Sequence, residues 1–152
     1  MRLFNHLFVL IVTAFLVCAC EKSKDLIDDN TEPTEVGFRP VSSNPLRDLN
    51  ARGALIDAAS YTSGATILTE LQFFSESAVK EIVFYTTYGK QSRLINNTFP
   101  YVKGFSPVKR MDTLLVSYTV PVLPKDTTIR FDFQIVNVNG LTLTRSATIK
   151  GK

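Results

Sequence analysis

The sequence is short of the side chains on which most enzyme chemistry depends. It contains one His and no Trp, and the single His, His6, lies in an N-terminal segment that we expect to be removed. Without His, the Ser–His and Cys–His arrangements of nucleophilic catalysis cannot form, and a zinc site is not expected. The 7 Gly are scattered rather than grouped in a phosphate-binding loop. The sequence therefore predicts a protein that is not an enzyme and that needs no cofactor.

An excess of charge of one sign is also missing. The chain has 17 Lys and Arg against 14 Asp and Glu, a formal net charge of +3, and the cations do not cluster on any one predicted element. A surface that binds nucleic acid requires a basic patch or stripe, so we expect no nucleic-acid partner. Carboxylates are present, and a hydrolase that uses carboxylates alone is a remote alternative. No spacing singles out two of them as a pair.

Cysteine is scarce, and both Cys residues stand at the end of an N-terminal apolar segment, MRLFNHLFVLIVTAFLVCAC. Arg2 supplies a positive charge at its start, and Leu7 to Val17 is apolar except for one Thr. That length is typical of a signal peptide, and it is shorter than the roughly 20 apolar residues of a membrane span. An uncleaved anchor helix is the alternative.

The tetrapeptide that ends at Cys20, VCAC, resembles the lipobox of bacterial lipoproteins. This resemblance implies that residues 1–19 are removed as a signal peptide and that Cys20 carries a diacylglyceryl group and palmitate-type chains as a membrane anchor. Ala19 is the small residue that the peptidase needs, whereas Cys18 and the Val before it depart from the usual pattern. Glu21 after Cys20, in place of Asp, implies a lipid-anchored protein of the cell envelope in the outer membrane.

A polar, charged segment follows the lipobox. Residues 21–35 read EKSKDLIDDNTEPTE and contain too little apolar surface to fold. We therefore predict a lipidated flexible tether over residues 20–49 and one folded domain over residues 50–152. The aromatic and β-branched runs of that domain alternate between apolar and polar residues, which is the pattern of β-strands.

The alternation is clearest near the C-terminus, where two such runs flank Asn139 and Gly140. This pair predicts a β-hairpin with a type I′ turn, in which both central residues have positive φ. Six to seven strands with no convincing helix predict an all-β fold, an antiparallel β-sandwich.

Parts of the predicted sandwich resemble bacterial immunoglobulin-like domains. The run VKEIVFY at Val79 to Tyr85 is similar to one of their central strands, and residues 118–121, 129–140 and 144–149 are similar to their closing strands. Together with the N-terminus, the chain resembles small surface lipoproteins of Bacteroidetes-type bacteria. The resemblance implies an immunoglobulin-like sandwich and a surface location, and a fold does not by itself imply a function.

The connection over residues 89–112 is the most suggestive segment for function, because it places aromatic residues beside cations. Such groups stack on flat ligands and pair with carboxylates. The alternative is that the connection contains a further strand or caps the end of the sandwich. The candidate ligand-binding residues are Tyr88, Phe99, Tyr101, Phe105 and Arg110.

These observations favour a membrane-anchored, non-catalytic surface module that binds a glycan or a surface protein. The alternative is a purely structural envelope component that pairs through a sheet edge. A glycan binder requires exposed aromatic rings, whereas edge pairing requires an open, uncharged strand. The sequence leaves both alternatives open.

Overall fold

The computed structural model describes residues 37–122 and 124–152, which form an all-β sandwich. Its strands are β1 (Arg47–Asp48), β2 (Ala54–Leu55), β3 (Ser60–Tyr61), β4 (Thr66–Phe73), β5 (Val79–Tyr88), β6 (Leu94–Pro100), β7 (Phe105–Ser106), β8 (Met111–Thr119), β9 (Thr128–Asn137) and β10 (Thr142–Gly151). Within these residues, no helix is long and apolar enough to cross a membrane. The predictions for the signal peptide and for lipidation at Cys20 lie outside the described residues.

The strands form two five-stranded sheets. Sheet 1 has the order β2-β1-β4-β8-β7, and sheet 2 has the order β3-β10-β9-β5-β6. Every pairing is antiparallel except that of β3 with β10, which is parallel. The prediction of an antiparallel sandwich is therefore confirmed, with one parallel pair at an edge. The strands β4, β8, β9 and β10 carry the predicted alternation. The strand β6 lies in the connection over residues 89–112, for which a further strand was the alternative. The four two-residue strands are too short to give a pattern.

Alternating side chains fill the space between the sheets. Along β9, Phe131 and Phe133 point inward and are 1% and 0% exposed. The ring of Phe84 on β5 stacks on Phe133 at a centroid distance of 4.5 Å and meets Phe131 edge-on at 5.6 Å. Tyr118 of β8 meets Phe131 at 4.9 Å and joins sheet 1 to the same aromatic cluster. The closely spaced rings of both sheets form the centre of the core.

The folded domain begins before the boundary that we predicted at residue 50. Leu46 is 3% exposed and belongs to the core, and Val41 exchanges two main-chain hydrogen bonds with Phe74. We call residues 37–61 the N-terminal strap. Its apolar residues are isolated among polar ones, and their partners are distant in sequence. A local pattern therefore could not distinguish residues 37–49 of the strap from the tether.

The hairpin between β9 and β10 is confirmed, but the predicted type I′ turn is wrong. Gly140 has a φ of +86°, whereas Asn139 is not among the residues with positive φ. The amide of Gly140 donates to the carbonyl of Asn137 at 3.0 Å, and the amide of Asn137 donates to the carbonyl of Leu141 at 2.9 Å. One glycine in the left-handed region after a tight turn is the arrangement of a longer hairpin loop with a bulge.

Candidate functional site

One lateral side of the sandwich is open, where β6 of sheet 2 faces β7 and β8 of sheet 1. A cavity of about 230 Å³ lies between the sheets there, and we call it the side groove. Its walls are largely apolar and come from both sheets. They consist of Phe73, Ile82, Phe99, Pro100, Val102, Thr113 and Leu114.

The strand register determines which side chains line the groove. Ile82 of β5 lies opposite Phe99 of β6, so both side chains point to the inner face of sheet 2. Leu114 of β8 lies opposite Leu71 of β4 and points inward from sheet 1. Because β6 ends at Pro100, the chain leaves sheet 2 at that point and crosses to β7 of sheet 1. The groove is therefore the gap that this crossing leaves between the two sheets.

The crossing segment is held close to β8 by a glycine. The amide of Thr113 donates to the carbonyl of Gly104 at 3.0 Å, and the Thr113 hydroxyl donates to the same oxygen at 3.1 Å. A Cβ atom at Gly104 would lie 2.6 Å from the Thr113 carbonyl oxygen. Any other residue would push the crossing segment away from β8 and widen the groove.

Tyr101 and Asp112 form a polar contact beside the groove. The Tyr101 hydroxyl donates to Oδ2 of Asp112 at 2.8 Å, and its ring meets Phe73 edge-on at 6.3 Å. Burial, together with the neighbouring carboxylate, raises the pKa of Tyr101 to about 12. The second carboxylate oxygen of Asp112, Oδ1, is buried and accepts no hydrogen bond from the described residues. A buried acceptor therefore remains next to the groove wall at Thr113.

The structure separates the five predicted ligand-binding residues. Phe99 and Tyr101 are half-buried and pack against the core, while Phe105 is 49% exposed and lies opposite Asp112. Tyr88 stands at the far end of β5, about 20 Å from Ile82 at the usual rise per residue. There its hydroxyl lies 3.0 Å from that of Tyr118.

Arg110 is exposed in the turn between β7 and β8, and its φ is +54°. It is not one of the residues that line the groove. Of the predicted residues, only Phe99 lines the groove directly, and the exposed aromatic platform that we expected for a glycan site is not formed by this set. The connection over residues 89–112 contains two strands, and it also forms one wall of the groove.

Sequence reasoning missed most of the groove walls, because they come from four separate strands. Val102 carries the one signal that was available. It is an apolar residue between Tyr101 and Lys103 in a polar crossing segment, and 83% of its surface is exposed. A large apolar side chain that is held at the mouth of a cavity is a candidate contact for a partner.

The outer face of sheet 2 carries a polar network that is satisfied internally. Asp132 alternates with the inward-facing Phe131 and Phe133 and points to this face, but it is only 5% exposed because its neighbours cover it. Arg93 and Arg130 pair with the carboxylate of Asp132 at 3.3 Å and 2.9 Å. The guanidinium of Arg93 also lies 3.5 Å from the centre of the Tyr85 ring. Because these groups bind one another, they leave few free hydrogen-bond donors or acceptors for a ligand.

Three of the carboxylates that the structure describes lie apart from one another, and each has its own partner. Glu70 is bound by Lys109 on the outer face of sheet 1, Asp112 by Tyr101 between the sheets, and Asp132 by arginines on the outer face of sheet 2. Among residues 37–122 and 124–152, no three His, Cys, Asp or Glu side chains come together as a possible metal site.

No family model matches the chain, and no curated protein matches its sequence. Several solved structures are similar in fold. One is an AA10 lytic polysaccharide monooxygenase from Streptomyces lividans, with a TM-score of 0.41, 15% identity and 65% of this chain covered. Another is a chitin binding domain from Burkholderia pseudomallei, with a TM-score of 0.42, 10% identity and 70% covered. The chain spans 62% and 61% of the lengths of those two structures.

Proposed function

We propose that this chain is a lipid-anchored envelope lipoprotein whose sandwich is a non-catalytic module that binds a partner protein at the side groove. The observation that carries the proposal is the groove itself, an apolar cavity of about 230 Å³ with the exposed Val102 at its mouth. Pockets for drug-sized molecules occupy about 300–1,000 Å³. The side groove is smaller, and its size suits one apolar side chain of a partner.

A protein partner is favoured over a glycan because of what the groove presents. Sugar rings are recognised by exposed aromatic faces, and Phe99 and Tyr101 pack against the core instead. An apolar side chain that enters the groove would be removed from water, which contributes about 25 cal/mol per Å² of apolar surface. Phe73, Ile82 and Leu114 supply that surface from three strands.

The compartment rests on the resemblance of the VCAC segment to a lipobox. Mass spectrometry of the protein purified from bacterial membranes is expected to show an N-terminus at Cys20 that carries the acyl chains. Cys20→Ala is expected to move the protein out of the membrane fraction, because an attached pair of chains is what makes such anchoring stable. An unprocessed N-terminus that stays in the membrane fraction of both proteins would favour the anchor helix instead.

The groove is tested with Val102→Asp, which places a charge at its mouth. Val108→Asp is the matched control, since Val108 is 93% exposed in the same connection and does not line the groove. Ligands for the full chain in detergent would be selected from a displayed peptide library, and the same protein would be applied to a glycan array. We expect selected peptides that lose at least about ten-fold in affinity for Val102→Asp and keep it for Val108→Asp.

A glycan that binds both variants equally would contradict the groove as the site and the protein as the partner class. Peptides whose affinity is unchanged by Val102→Asp would contradict the groove alone.

A further inference from the structure

The four edges of the two sheets are not alike. Three of them, β2, β3 and β7, are two residues long, and short edges are a means by which β-proteins avoid pairing with other chains. The fourth, β6, is seven residues long, and its only strand neighbour among the described residues is β5.

The sequence of β6, LINNTFP, has no charged residue. Lysine on an edge strand is another common means of preventing pairing, and β6 lacks it. Leu94 and Ile95 are 50% and 66% exposed, so the strand also presents apolar surface. Two features shorten the part of β6 that can pair with another strand. Asn96 forms a bulge, and Pro100 has no amide hydrogen to donate. The segment between them, Asn97 to Phe99, borders the side groove.

One main-chain donor in this segment already has a substitute partner. The amide of Thr98 donates to Oδ1 of the neighbouring Asn97 side chain at 2.8 Å, although strand ladders normally satisfy such amides with a carbonyl of the next strand. Asn97 is exposed, so its side chain is free to turn away when a carbonyl arrives. The Asn97 oxygen thus occupies the position that a guest strand's carbonyl would take.

The charges at the two ends of β6 indicate the chemistry of the guest. Lys90 and Arg93 precede the strand and Lys103 follows it, and Lys90 and Lys103 form no ion pair within the described residues. Glu81, which lies opposite Pro100 of β6, is already paired with Lys80 at 3.1 Å. A segment with an uncharged centre and acidic ends complements this arrangement.

A second copy of the chain fits less well. Two antiparallel β6 strands centred on Asn97 would place Lys103 of one copy beside Lys90 of the other, and neither lysine has an ion-pair partner within the described residues. Like charges that meet across an interface are unfavourable and cost affinity.

From these observations we propose that β6 is a docking edge for an extended segment of a partner protein, with alternating apolar residues at its centre and acidic residues at both ends. The guest adds a strand to sheet 2, and one of its apolar side chains enters the side groove. This inference rests on the proposed function, because it names the kind of partner that the groove accepts.

The test uses the full chain in detergent and a short synthetic peptide with alternating Val and Thr at its centre and Asp and Glu at each end. A peptide with the same centre and Lys at each end is the matched probe. Fluorescence anisotropy is expected to show the acid-ended peptide binding at least about ten-fold more tightly. Amide NMR shifts are expected to concentrate in Leu94 to Pro100.

Two variants locate the contact. Thr98→Pro removes the edge donor and is expected to weaken binding of the acid-ended peptide about ten-fold. The double variant Lys90→Glu, Lys103→Glu leaves the main chain of the edge unchanged and is expected to bind the Lys-ended peptide more tightly than the acid-ended one. The test therefore holds even if Thr98→Pro does not fold.

Equal binding of the two peptides, or a preference that survives the double charge reversal, would overturn the inference. So would concentration-dependent dimerisation in sedimentation that Thr98→Pro abolishes, because the edge would then serve a second copy. If neither peptide binds while library-selected ligands still respond to Val102→Asp, the edge inference fails and the proposed function stands. If the acid-ended peptide binds and Val102→Asp has no effect on any ligand, the groove fails and the edge stands.

Discussion

The two lateral sides of the sandwich differ in how they are closed. On one side the N-terminal strap passes between the sheets, and its main chain bonds to both of them: Leu49 to Leu68 of sheet 1, and Ala58 to Thr148 of sheet 2. On the other side the chain crosses once, between β6 and β7, and leaves the side groove and a seven-residue edge open.

The difference shows that the open side is not a general consequence of a small sandwich. The same chain closes its other side with two-residue strands and with Arg145, whose guanidinium donates to the carbonyl of Asn44 at 3.0 Å. An apolar groove beside an uncharged edge is a liability for aggregation unless a partner covers it. We therefore attribute stability to the closed side and the centre, and binding to the open side.

The largest expected effect is at the centre, which both sides share. Phe131→Ala removes a fully buried ring that contacts Phe84 and Tyr118, and is expected to lower the free energy of unfolding by about 3–5 kcal/mol. Urea denaturation measures this change. Phe105→Ala, at a half-exposed edge position, is the control and should cost clearly less. Equal losses would mean that the open side is as important for folding as the centre.

The next largest loss of stability is expected from a change on the closed side. Arg145→Ala removes hydrogen bonds to the carbonyls of Ser43 and Asn44, and is expected to cost about 1.5–3 kcal/mol because the donor is charged. Hydrogen exchange should then accelerate in the strap before it accelerates in β9. Arg145→Lys keeps the charge without the planar fork and should recover only part of the loss. Unchanged exchange in the strap would show that Arg145 does not hold it.

A smaller effect is expected on the open side. Tyr101→Phe removes the hydrogen bond to the carboxylate of Asp112 and should cost about 1.5 kcal/mol at neutral pH, the lower end of the range for a bond to a charged group. The raised pKa of Tyr101, about 12 against 10.0, means that the folded state favours the protonated phenol. This stabilisation is complete below pH 10 and is lost as the pH rises towards 12.

The alkaline loss of stability should therefore be less steep in Tyr101→Phe than in the parent protein. Tyr61 has a pKa that is also raised to about 12, so part of the slope should persist. Thermal unfolding measured at several pH values from 9 upward tests this, and identical slopes in the two proteins would contradict it.

The smallest effect on stability is expected at the mouth of the groove, where a substitution should affect binding without affecting folding. Val102→Asp and Val108→Asp change exposed side chains, and each is expected to alter the free energy of unfolding by no more than about 0.5 kcal/mol. The two variants should differ in ligand binding alone. A large loss of stability in Val102→Asp would mean that the mouth of the groove belongs to the core.

The sequence was sufficient for the features that depend on local alternation. Residues such as Phe131 and Ile135 repeat every second position, and this period by itself predicted the alternating strands β4, β8, β9 and β10 and their inward faces. Residues 37–49 of the strap were missed because Leu46 has no alternating neighbours, and its burial depends on β2 and β4. The cover of Asp132 by Arg93 requires knowledge of which strands are adjacent.

The candidate site was less predictable than the fold for the same reason. Phe99 and Tyr101 were identified by residue type. The inward orientation of Phe99 follows from the register of β6 against β5, and Tyr101, which comes after β6, is placed by its contact with Phe73. The groove depends on Phe73 and Leu114, which come from other strands and carry no signal of their own. The uncharged composition of β6 was visible in the sequence, whereas its position at an edge was not.

The N-terminal strap has a mechanical consequence if the chain is tethered through Cys20. A pull on the tether enters the described domain at residue 37 and first loads the bonds of Phe38 to Ser77 and Asn137, at 3.0 Å each. It next reaches the two main-chain bonds between Val41 and Phe74. These links hold residues 38–41 only and lie away from β6, so they can break and re-form while β1, β2 and β3 stay in their sheets. The first residues of the strap would then lengthen the tether under tension without disturbing the edge at which we propose that a partner binds.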